Sequence, residues 1–89
     1  MDENALIRDT RNAEQAQRIL ENEAFLSVVE QIKDRIWKKL PGAPVETLPV
    51  LQMELNVLND IVSLLRYSVQ TGKLSQVQLN RLHDRERAA

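Results

Sequence analysis

Between Leu48 and Val69 the apolar residues Leu48, Leu51, Leu55, Leu58, Val62, Leu65 and Val69 recur at alternating steps of three and four. An α-helix places such positions on one stripe, whereas a strand would scatter them over both faces. The spacing therefore predicts a helix over 47–71. Thr47 is suited to N-cap this helix, and Pro49 is tolerated in a first turn whose amide hydrogens have no intrahelical partner. Gly72 suits the left-handed position that stops a helix. A second stripe with the same spacing, Val50, Glu54, Val57, Ile61, Leu64 and Ser68, lies beside the first. Together they span an apolar arc of roughly 200°, about twice what one neighbouring helix covers. This helix is expected to face two neighbours.

Upstream, Phe25, Val29, Ile32, Ile36 and Leu40 define a second amphipathic helix that must end before Pro41. The linker over 41–46, "PGAPVE", has the length of a helix–helix connection. The sequence thus predicts an all-α fold built on an antiparallel helical hairpin, about 22–40 against 47–71. Leu6, Ala13, Leu20 and Ala24 form a stripe rotated by roughly 100° from that of Phe25 and Val29. The arm over 4–21 is therefore expected to change partner or break near Asn22, a suitable N-cap. An unbroken helix over 4–40 would run about 55 Å against about 37 Å for 47–71. The overhanging part, with Leu6 and Leu20, would need cover. A short C-terminal helix is expected over about 75–84, followed by a frayed tail over 85–89.

Eighty-nine residues bound the chain to one thin-cored domain. Two glycines, three prolines and three aromatics are too few turn and sheet residues for a many-stranded fold. The absence of cysteine excludes disulfides and thiolate metal sites. The N-terminus "MDENALIRDT" has no apolar segment of the signal-peptide kind, and no unbroken apolar run approaches the ~18 residues of a membrane span. The expectation is a protein without a secretion signal and without membrane contact.

Candidate chemistry is sparse. His83 is the single histidine and reads as a solvated tail residue, since no second histidine or cysteine accompanies it. No phosphate loop, nucleophile elbow or HExxH motif is present, and Ser27, Ser63, Ser68 and Ser75 have no base nearby in sequence. The chain is expected not to be an enzyme and to need no cofactor or metal. Lys33, Trp37, Lys38 and Lys39, with Arg81 and Arg85 near the C-terminus, are the candidates for phosphate contact. The competing reading is a cationic helix end favoured by the helix dipole, with Trp37 over the prolines. Net charge is −1, so bulk charge supplies no nucleic-acid footprint.

Glu54 stands within "PVLQMELNVL", among apolar neighbours. If the hairpin turns near residue 44, Glu54 falls opposite Lys33 and Arg35, and an ion pair across the hairpin is one reading. In a second reading Glu54 sets partner or register at a contact between chains, as buried polar residues do in coiled coils. A pore-lining or ligand-binding role is the third. The candidate partner interface comprises Val50, Met53, Glu54, Val57, Ile61 and Leu64, together with Leu6 and Leu20.

The stretch "AEQAQRILENEAFLSVVEQIKDRIWKKL", followed by an amphipathic helix ending in "VQTGKL", resembles small all-helical proteins encoded in the structural gene module of tailed bacteriophages. The resemblance covers roughly residues 13–74 and rests chiefly on Asn22, Phe25 and Thr71-Gly72-Lys73-Leu74. A proline commonly follows the asparagine in that group, where Glu23 stands here. The resemblance implies a non-enzymatic virion or assembly protein, such as a connector, head-completion component or assembly factor. It would act in the virion or host cytoplasm through contacts with itself or other virion proteins. The alternative is a small regulatory or inhibitory module that binds a host protein or nucleic acid.

Overall fold

The structure, a computed structural model, describes residues 2–88 and is all-α. Helix α1 spans Glu3–Glu21, α2 spans Glu23–Lys39 and α3 spans Leu48–Ala88, with short 3-10 turns at Leu40–Gly42 and Val45–Thr47. At 1.5 Å per residue the 41 residues of α3 extend about 61 Å, most of the molecule's 68 Å length. The other two dimensions are 26 and 14 Å, a single layer of helices. The radius of gyration, 19.3 Å, compares with about 12 Å for a compact chain of this size.

The ends of the first two helices follow from their caps. Asp2 accepts a hydrogen bond from the Asn4 amide at 3.0 Å, and Asn22 accepts one from the Phe25 amide at 2.9 Å. Asn22 is extended (φ −79°, ψ 113°) and its own amide donates to the Ile19 carbonyl, so one residue closes α1 and opens α2. The arm over 4–40 is therefore two helices, broken where the rotated stripe predicts. Pro41 ends α2 as expected.

Three expectations about α3 are corrected. Thr47 does not cap it: its amide and hydroxyl both donate to the Pro44 carbonyl, at 2.9 and 2.8 Å, closing the 3-10 turn that leads into the helix. Gly72 does not stop it: no glycine among the described residues has positive φ, and the helix continues to Ala88. The expected separate helix at 75–84 and frayed segment from 85 are instead its last turns, with Ala89 outside the described residues. The reason lies in packing. A Cβ placed on Gly72 would lie 2.0 Å from the Ala13 Cβ and 3.0 Å from the Asp9 carbonyl oxygen, so glycine is required for α1 to approach this closely.

That continuation covers the overhang. Glu3 meets His83, Asp9 meets Ser75 and Ala13 meets Gly72, so α1 lies along the C-terminal half of α3. The tightest pairing is thus α1 with this half, outside the two segments from which a hairpin was expected. Leu6, Ala16, Val29, Ile36, Leu51 and Leu79 are buried, yet among the described residues no side chain is less than 2% exposed. One seam between two rows of helices cannot enclose a residue on all sides.

Candidate protein-interaction surface

The outward side of α3 carries Val50, Met53, Val57, Ile61, Leu64, Tyr67 and Leu74, each between 42% and 67% exposed. The inward side of the same helix carries Leu51, Leu55, Leu58, Val62, Leu65 and Val69, all buried or half-buried. Of the expected arc, the first stripe is buried or half-buried from Leu51 to Val69 while Leu48 is 38% exposed, and the second is exposed at Val50, Glu54, Val57, Ile61 and Leu64 while Ser68 is half-buried. Contiguous exposed apolar rows of this length are characteristic of contact surfaces.

Met53, Glu54, Val57 and Leu58 border a groove of about 400 Å³ whose other wall is Ile32, Arg35, Ile36 and Lys39 of α2. Farther along, Asp60, Ser63, Leu64, Arg66, Tyr67 and Gln70 surround an open hollow on α3 alone. Total accessible surface is 7032 Å², against about 5,400 Å² for a compact monomer of 10.3 kDa, an excess of roughly 1,600 Å².

Glu54 is exposed and shares its groove with Arg35, but it forms no ion pair within 4.0 Å among the described residues. Lys33 pairs instead with Glu30 of its own helix at 3.8 Å. The expected ion pair across the hairpin is thereby corrected: Arg35 and Glu54 border the same groove without coming within 4.0 Å of each other. Leu6 also leaves the candidate interface, since α3 buries it to 4% exposure beside Leu82. Leu20 is half-buried.

The basic candidates separate. Lys33, Trp37, Lys38 and Lys39 lie near the α2–α3 connection, whereas Arg81 and Arg85 flank Leu6 at the opposite end of the layer. Trp37 is 59% exposed, so more than half of its surface is in water. His83 lies in regular helix with its Nε2 3.3 Å from Glu3 Oε1, tying the chain's two ends together. Ser75 is buried and donates to Asp9 Oδ2 at 3.1 Å. Among the described residues no group of three His, Cys, Asp or Glu side chains could hold a metal ion.

By length and composition α3 could cross a membrane: an 18-residue window within Val45–Ala88 reaches a mean hydropathy of 1.2, with 6% of it buried. Its apolar half also carries Gln52, Glu54, Asn56, Asn59 and Asp60. An acidic residue at a bilayer centre costs about 2.5–3.5 kcal/mol. Tyr67 and Leu74 were not singled out by sequence reasoning, although steps of three and four from Val50 through Met53, Val57 and Leu64 reach both. Comparison with family models, with curated proteins and with solved structures found no match to this chain.

Proposed function

We propose that this protein is a non-enzymatic structural or assembly component of a tailed-bacteriophage virion, a connector, head-completion or assembly factor, that works by helix-mediated contact and self-association. The observation that carries the contact role is the exposed apolar row on α3, from Val50 to Leu74. Surface in excess of a compact monomer's by about two ordinary interface patches of ~800 Å² accords with it. In this reading α2 and the first half of α3 form a hairpin arm that presents the row, while α1 clamps the other end. The phage assignment rests on the resemblance over residues 13–74; the chain breaks its helix at Asn22, with Glu23 where the pattern commonly has proline, and departs from the pattern at Thr71-Gly72-Lys73-Leu74, through which α3 continues. Mass spectrometry of purified virions tests it. The chain is expected at stoichiometric abundance or in assembly intermediates; its absence from both, with expression confined to early infection, would contradict the assignment.

A second reading, a regulatory module that binds a host protein or nucleic acid, draws on the exposed Trp37 beside Lys38 and Lys39. Its nucleic-acid form requires a salt-dependent mobility shift. No shift at low ionic strength would remove it.

A further inference from the structure

The exposed row on α3 has a direction, and so does the charge along it. Val50, Met53, Val57, Leu64, Tyr67 and Leu74 fall on one heptad stripe whose remaining two positions are Asp60 and Thr71, the seven-residue repeat that keeps a stripe facing another helix. From Val50 to Leu74 the row runs about 36 Å. On α3 as far as Leu74 the acids Glu54 and Asp60 precede the bases Arg66 and Lys73; Asp60 and Arg66 border one hollow with Leu64 and Tyr67 of the row, while Lys73 borders the groove against α1. Pairing of two copies in parallel sets acid beside acid and base beside base. Antiparallel pairing sets each copy's acidic half beside the other's basic half. The excess surface, roughly 1,600 Å², is more than the ~800 Å² per partner that a stable interface uses.

We propose that α3 pairs with α3 of a second copy, antiparallel, about a two-fold axis near Val62. This rests on the self-association reading above and supplies its geometry. One register uses the whole row: Val50 opposite Leu74 of the other copy, Met53 opposite Thr71 and Val57 opposite Tyr67. Asp60 then lies beside the other copy's Leu64 at the centre, where a polar residue fixes register at a cost in stability. Shifting by one repeat of seven leaves one end of each row unpaired.

The chain has no cysteine, which makes the geometry directly testable with Val50→Cys and Leu74→Cys. The two positions are about 36 Å apart on one helix, so any disulfide between them joins two chains. Sedimentation of the unaltered protein comes first. A dimer is expected, and a monomer up to millimolar concentration overturns both self-association and this geometry. Given a dimer, mild oxidation of an equimolar mixture of the two variants is expected to yield at least tenfold more disulfide-linked dimer than either alone. Efficient linkage of each variant alone indicates parallel pairing. Linkage in none of the samples, with the dimer intact, indicates another surface. Either result overturns the antiparallel geometry while leaving self-association standing. Flotation of the unaltered protein with anionic vesicles, with loss of the dimer, would assign the row to a lipid surface and overturn the proposal.

Discussion

The two halves of α3 solve the packing problem in opposite ways. Its C-terminal half meets α1 through small residues: Gly72, Ala13 and Ala16 allow close approach, and the Ser75–Asp9 hydrogen bond and His83–Glu3 pair cross the gap. Its N-terminal half meets α2 through larger residues that leave a groove, and it turns most of the outward apolar row, Val50 to Tyr67, to solvent, with Leu74 continuing the row on the other half. The difference separates two jobs in one helix. Close-packed small residues hold the chain together, while the looser half keeps apolar surface for contact with another molecule.

Substitutions at the tight end should cost stability in proportion to how far they push the helices apart. Gly72→Leu is the largest, because even a single added carbon meets Ala13. The expected loss is about 3 kcal/mol, the upper part of the usual range for overpacking, with a fall in melting temperature of more than about 10 °C by circular dichroism. An unchanged melting temperature would mean that α1 does not lie against α3. Ser75→Ala leaves the half-buried Asp9 carboxylate without its donor and should cost about 1–2 kcal/mol in urea denaturation. Asn22→Ala removes the cap between α1 and α2 and should cost about 1 kcal/mol, with faster amide exchange in the first turn of α2. His83→Ala removes a pair that is about half exposed on both sides, so a change of a few tenths of a kcal/mol is expected.

The sequence makes the looser half more legible than the tight one. Large apolar residues at helical spacing announce α2 and the first half of α3, and Asn22 announces the break. Gly72 invites the wrong inference because a glycine flanked by polar residues has the local signature of a helix stop. The correcting signal is the seven-residue series Leu51, Leu58, Leu65, Gly72, Leu79, in which the glycine holds a core-facing position of a helix that continues. Alanine and glycine carry little hydrophobic signal, so a seam built from Ala13, Ala16 and Gly72 is nearly silent until the helices are placed together. Glu54 shows a different limit. Its groove beside Arg35 follows from the turn position, but ion-pair formation depends on side-chain separations that spacing does not set.

Contact between copies through the outward row of α3 should depend most on Leu64, 67% exposed near the middle of the row. Sedimentation equilibrium of the protein and of Leu64→Glu, over a hundredfold range of concentration, measures this directly. The unaltered protein is expected to reach twice its 10.3 kDa chain mass, and the variant to associate at least tenfold more weakly, a loss of about 1.4 kcal/mol, with its helix content unchanged. Equal association of the two proteins, or a monomer throughout for both, would contradict it.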